Sequence, residues 1–135
     1  MHVRFAFLCD YAQDSGNGKI SALGIGIDNF FVPNLTQPIS PFCLVVNLEA
    51  NRSEAGQKQF EIHLMNEDGQ TVIPPIKGEI VIPVPSHGIK TGAGIVAGFT
   101  NIIFPNYGSF QISFLINGQE FVNIPITVSP PPNAK

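Results

Sequence analysis

The stretch Val3-Arg4-Phe5-Ala6-Phe7-Leu8-Cys9-Asp10-Tyr11-Ala12, with Gln13-Asp14-Ser15-Gly16-Asn17-Gly18 after it and the run Lys19 to Ile27 beyond, decides how the chain reads. Side chains of an extended segment alternate between two sides. Val3, Phe5, Phe7, Cys9 and Tyr11 therefore share one side, and Arg4, Ala6, Leu8, Asp10 and Ala12 share the other. The first side is wholly apolar or aromatic, as for a strand laid against a core. Residues 13–18 tolerate positive φ or bond to their own backbone, which predicts a reversing loop. In the return run, Gly24 and Gly26 have no side chain to pack, which predicts a bulge or a close backbone approach. The reading is a first hairpin over Val3 to Ile27.

Working outward, Asp28 to Pro41 carries Pro33, Pro38 and Pro41, which preclude a helix and most ladder pairing, so this segment reads as a connection crossing between sheets. Phe42 to Ala50 alternates Phe42, Leu44, Val46 and Leu48 against Cys43, Val45, Asn47 and Glu49, a strand buried mainly on one side. Lys58 to Asn66 alternates cleanly, with Phe60, Ile62 and Leu64 inward and Gln59, Glu61, His63 and Met65 outward. Asp68-Gly69 then predicts a type I′ turn, with Thr71 to Ile73 pairing back. Glu79 to Ile82, flanked by prolines, reads as a short edge strand. Ser86 to Gly94 reads as a glycine-rich loop and Ile95 to Phe104 as a strand. Phe110, Ile112, Phe114 and Ile116 form one face of the next strand, Asn117-Gly118 gives a second hairpin signal, and Phe121 to Val128 closes the fold.

Eight or nine short strands with turn signals at roughly 8 to 12 residue spacing, and no sustained helical period, predict an all-β fold. The expected architecture is an antiparallel β-sandwich of about eight short strands, immunoglobulin-like in the broad sense, with a closed barrel as the alternative. Phe110 stands where such folds often keep a tyrosine, which weakens a strict immunoglobulin assignment. Residues 1–128 read as one domain and 129–135 as a Pro-rich flexible tail.

Of 135 residues, 44% are hydrophobic and 13% charged, about half the usual charged share of a soluble domain. Much of the surface is therefore neutral or apolar, which raises the expectation of a protein partner or a homo-oligomer. A net charge of −3, with seven cationic residues scattered from Arg4 to Lys135, argues against nucleic acid or an anionic membrane as partner. No run approaches the ~20 apolar residues of a membrane span. Phe5 to Cys9 is too short for a signal peptide and Asp10 follows directly, so a cytoplasmic protein with two reduced, structural cysteines is expected.

Cys9-Asp10-Tyr11-Ala12, Gly18-Lys19-Ile20-Ser21 and Gly24, together with Asp68-Gly69 and the closing Ile124-Pro125-Ile126-Thr127-Val128, resemble a family of small bacterial all-β domains of unknown function. The resemblance spans most of the chain. It implies a compact cytoplasmic β-domain with no assigned activity, and no site residue follows from it.

The residues themselves suggest little chemistry. Gly92, Gly94 and Ala97 fit a dinucleotide-loop spacing, but that loop must open a helix and the following run reads as strand. Lys90-Thr91 lacks the glycines of a phosphate loop. His2, His63 and His87 are far apart, Cys9 and Cys43 have no short spacing, and Asp14 to Asn17 lacks the ligand alternation of a calcium loop. Neighbouring Cys9 and Asp10 point to opposite sides of a strand and cannot act as a pair. Ser86-His87 has no oxyanion loop beside it, and Asp10 is expected to bond to backbone or to Lys19 across the hairpin. No catalytic, cofactor-binding or metal residue is assigned. The expected role is a non-catalytic protein-interaction or assembly module. The alternative is a small-ligand or carbohydrate binder using the loops Asp14 to Gly18 and Ser86 to Gly94; the absence of Trp, with only Tyr11 and Tyr107, counts against sugars.

Overall fold

The computed structural model describes residues 1–15 and 19–132. Ten strands occur among them: β1 His2–Cys9, β2 Tyr11–Asp14, β3 Ile20–Leu23, β4 Asn29–Phe31, β5 Phe42–Asn51, β6 Gly56–Asn66, β7 Ile76–Ile82, β8 Lys90–Phe99, β9 Gly108–Ile116 and β10 Gln119–Ser129. A single 3-10 turn, Arg52–Glu54, follows β5. The strands build a β-sandwich: a three-stranded sheet in the order β1-β5-β8 faces a five-stranded sheet in the order β4-β10-β9-β6-β7, and β2 with β3 forms a separate ribbon. Every ladder is antiparallel except the short one between β4 and β10.

Period-two alternation supplies the core. Phe42, Leu44, Val46 and Leu48 of β5 interlock with Ile62 and Leu64 of β6, with Phe110, Ile112, Phe114 and Ile116 of β9, and with Ile126 and Val128 of β10. Burial of such a side chain contributes about 1.5–3 kcal/mol. Phe42 stacks on Phe99 at 4.7 Å and meets Phe30 at 4.9 Å, while Phe104 packs on Phe110 at 4.9 Å. These rings fill the space between the sheets.

The opening stretch departs from its expected form. A bulge between Val3 and Phe5 places Val3 opposite Leu48 and Phe5 opposite Asn47, and an extra residue in one strand reverses its facing thereafter. Val3, Ala6 and Leu8 therefore face the core, while Phe7 and Cys9 face the other side of the sheet. Phe5 and Tyr11 are exposed. The chain also breaks at Asp10, so β1 pairs with β5 and the hairpin is the narrower one of β2 and β3. Its expected turn includes Gly16, Asn17 and Gly18, which lie outside the described residues. The ribbon folds over the outer side of the three-stranded sheet, its Ala12 packing against Cys9 and Val45 and burying them. Strand β5 is thus buried on both sides, not mainly on one. The expected close approach is real at Gly24: φ is +68, and an added Cβ would collide with the Asp10 carboxylate.

Two hairpin signals behave differently. Asn117 and Gly118 both have positive φ, 50 and 82, as a two-residue type I′ turn requires. At Glu67 to Gly69 only Gly69 is positive, the Gly69 N–H donates to Asn66 O and the Asn66 N–H donates to Gln70 O, so the loop has three residues. Thr71 to Ile73 makes one bridge, Met65 to Thr71, before Pro74 and Pro75 interrupt the pairing. Strand β7 then resumes it along β6, at a sheet edge as expected. Strand β8 begins at Lys90, which shortens the expected Ser86 to Gly94 loop, and ends at Phe99. Asn101, at φ 57, turns the chain there, and Ile102 and Phe104 enter the core outside any strand. Ser129 ends β10 and accepts the Val32 N–H at 2.8 Å.

Candidate functional site

Most of the residues singled out in the sequence are dispersed by the fold. Gly92, Gly94 and Ala97 lie along β8, opposite Glu49, Asn47 and Leu44 of β5, so no helix N-terminus follows them. Lys90 pairs with Glu49 at 3.3 Å, and His63 stands 3.5 Å from Glu61. Ser86 and His87 are exposed in a loop that Arg52 holds by donating to the carbonyls of Pro85 and Gly88. Cys9 and Cys43 are register partners and both thiols are free. Burial pushes the Cys9 thiol up, and the charges of Cys43 and Asp10 add to this. A thiol held in that form is a poor nucleophile.

Asp10 does not meet Lys19. The ladder runs from Tyr11 opposite Leu23 to Asp14 opposite Ile20, and the Ser15 N–H donates to Lys19 O beyond it, whereas the Asp10 N–H donates to Leu23 O at the other end. At ~3.3 Å per residue, the two side chains are rooted roughly 16 Å apart. The Asp10 carboxylate instead lies against Gly24 and at a recess of about 410 Å³ lined by Ile27, Phe30, Phe31, Pro38 and Phe42 among others. Sequence reasoning missed this recess because its walls come from the Pro-rich segment read only as a connection.

A smaller recess of about 160 Å³ joins Asp14 to Gly92, Ala93 and Gly94, with Arg4, Ile20 and Asn47. Parts of the two loops expected to bind a ligand therefore do meet, although Gly16, Asn17 and Gly18 lie outside the described residues. Asn47 is 8% exposed, and its Oδ1 is buried without a hydrogen-bond partner. Arg4 Nε donates to Glu49 at 3.2 Å. Lys90 first, and then Arg4, hold the Glu49 carboxyl below the usual carboxylate range.

The surface has one further feature. Strand β7 ends one sheet, β8 ends the other, and the two lie side by side. Val81, Val84 and Ile89, on β7 and the following connection, are each more than 60% exposed. Tyr107, by contrast, anchors its hydroxyl to the Val32 carbonyl at 2.6 Å.

These observations define an all-β sandwich domain whose distinguishing surfaces are two recesses and a pair of adjoining strand edges. The chain belongs to the family of unknown function DUF6941, whose model matches residues 4–129. No curated protein matches it. Among solved structures, a similar chain is the Pseudomonas fluorescens alkylpurine DNA glycosylase AlkC bound to DNA containing an abasic site analog: 14% identical, with a TM-score of 0.41, over 76% of this chain and 27% of that one. A likeness of that degree carries no argument about activity. No helix among the described residues is long and apolar enough to cross a membrane.

Proposed function

We propose that this domain works without catalysis, by protein contact, and that it assembles with a second copy of itself through the side formed by β7 and β8. The observation that carries this reading is the adjacency of two strands that, among the described residues, are each hydrogen-bonded on one side only, β7 to β6 and β8 to β5. An open edge offers a row of N–H and C=O groups to another strand, and edges not meant to pair are usually blunted by charge, proline or bulges. Strand β8 has ten residues, and its only charge is Lys90 at one end. Exposed Val81, Val84 and Ile89 add apolar surface beside it. A cytoplasmic setting fits the two free thiols, and the net charge of −3 fits a protein partner better than nucleic acid.

Native mass spectrometry of the full chain over a concentration series tests this. The expected result is a dimer that Gly98→Lys weakens by about ten-fold or more. An added Cβ at Gly98 meets nothing within 4 Å, so the variant keeps its fold while placing a charge on the edge. A chain that stays monomeric at high concentration, or a dimer indifferent to Gly98→Lys, overturns the reading.

A further inference from the structure

The recess beside Asp10 has the makings of a ligand site. Its floor and walls are Ile27, Phe30, Val32, Pro38, Ile39 and Phe42, which are apolar, and Phe31 presents a ring that is 56% exposed. Its volume, about 410 Å³, falls in the range of small-molecule sites. The walls are pinned from several directions. The Val32 N–H donates to Ser129 O and the Val32 carbonyl accepts the Tyr107 hydroxyl. The Ile39 N–H donates to Ile102 O, and Asn34 Oδ1 accepts both the N–H and the hydroxyl of Thr36. A cavity held in this way is formed before any ligand arrives, which lowers the ordering cost of binding.

Charge then selects the occupant. Among the described residues Asp10 is the one ionisable side chain in the lining, and the remaining polar groups there are the neutral Asn29, Asn34, Gln37 and Ser40. Among the described residues Asp10 makes no salt bridge. Its position is set by the chain break between β1 and β2 and by contact with Gly24, whose lack of a side chain leaves room for the carboxylate. An ammonium group gains from a carboxylate and from the face of an aromatic ring alike, and a ring near a carboxylate is a cation site.

We infer that this recess binds an amphipathic organic cation, a small molecule whose protonated amine meets Asp10 and whose apolar body packs against Phe30 and Phe31. The site is separate from the β7 and β8 edges, so it stands or falls independently of self-association.

The test is a titration of the isotopically labelled full chain at neutral pH, followed by amide chemical shifts, with 2-phenylethylammonium as the probe and phenylacetate as its oppositely charged counterpart. The expected result is millimolar binding of the cation, shifts confined to Asp10 and to Ile27 through Phe42, and about ten-fold weaker binding of the anion. Asp10→Asn, which keeps the side-chain shape beside Gly24, should bring the cation down to the level of the anion. Phe31→Ala, at an exposed ring, should weaken the cation several-fold without moving the melting temperature. Equal binding of the two probes, a preference that survives Asp10→Asn, shifts centred elsewhere, or no binding of the cation at millimolar concentration each overturns the proposal.

Discussion

The two sides of the β1-β5-β8 sheet are closed in different ways. Its inner side meets a five-stranded sheet, and Val46 there is part of one continuous cluster running from Leu8 to Val128. Among the described residues its outer side meets a ribbon of four-residue strands, and Val45 there shares a small cluster with Cys9 and Ala12. Toward the other end of that side the ribbon stops, and Arg4, Glu49 and Lys90 take over. Val45 and Val46 are both 0% exposed, so solvent accessibility does not distinguish them. What differs is how freely the cover can move. A two-stranded ribbon is marginal on its own and can settle onto a smaller side chain. The inner sheet is locked by its own packing and leaves a cavity.

Paired truncations turn that difference into numbers. Val46→Ala should lower the unfolding free energy by about 2–3 kcal/mol, and Val45→Ala by about 1–2 kcal/mol, the gap being the cavity that only the inner site retains. Urea unfolding of the two variants measures both. Equal losses would mean that the ribbon is as rigid a cover as the sheet, and the comparison between the two sides would collapse.

The ribbon's attachment can be loosened without touching either cluster. Gly24→Ala combines a left-handed φ of +68 with a Cβ placed against Asp10 Oδ2, so the residue and the carboxylate cannot both stay where they are. The backbone strain alone is about 1–2 kcal/mol. Gly26→Ala, at φ +101 but with open space around the added atom, carries the strain without the collision. Hydrogen exchange at Ala12 and Ala22 should therefore accelerate more in Gly24→Ala than in Gly26→Ala, while the β9 and β10 amides stay protected. Identical exchange in the two variants would show that Asp10 plays no part in holding the ribbon down.

The sheet that sequence alternation describes best is the inner one. Phe60, Ile62 and Leu64, and then Phe110 through Ile116, keep strict period two, and Asn117-Gly118 fixes their neighbour, so β6, β9 and β10 were legible from residue types alone. The outer side was not, because two local features invert the reading. The bulge at Val3 and Phe5 reverses the facing of β1 without leaving a mark in composition, and Asp10 divides one apparent strand into two that run in different layers. Cys43, Val45 and Asn47 looked like a weaker side of β5 because nothing in the sequence says that a hairpin will return over them. The Thr71 to Ile73 pairing begins, with the Met65 to Thr71 bridge and the Val72 N–H donating to Leu64 O, and stops early for a visible reason, Pro74-Pro75, whose lack of N–H interrupts the ladder. The recess beside Asp10 stayed hidden because a segment rich in proline has no periodicity to read, and Asp10 is distant in sequence from most of its wall.

The uncovered end of the outer side gives the smallest effect, and it should appear as a dependence on pH. Glu49 is held low by Lys90 first and then by Arg4, so its pKa in the folded chain lies below its value in the unfolded chain. A group shifted in that direction stabilises the fold above its unfolded pKa, near 4.3, and the contribution fades as pH falls through the folded value. The melting temperature should therefore decline from about pH 5 downward, and Glu49→Gln should make the decline shallower while leaving some slope from Glu54 and Glu120, which are lowered as well. Because Glu49 meets the exposed side chains of Lys90 and Arg4, raised salt should shrink the difference between the two chains. Val45→Ala, a change under the ribbon, should leave the pH slope as it is. If instead Val45→Ala and Glu49→Gln alter the slope alike, the covered and open ends of this side act as one unit, and the ribbon reaches further over the sheet than its four-residue strands allow.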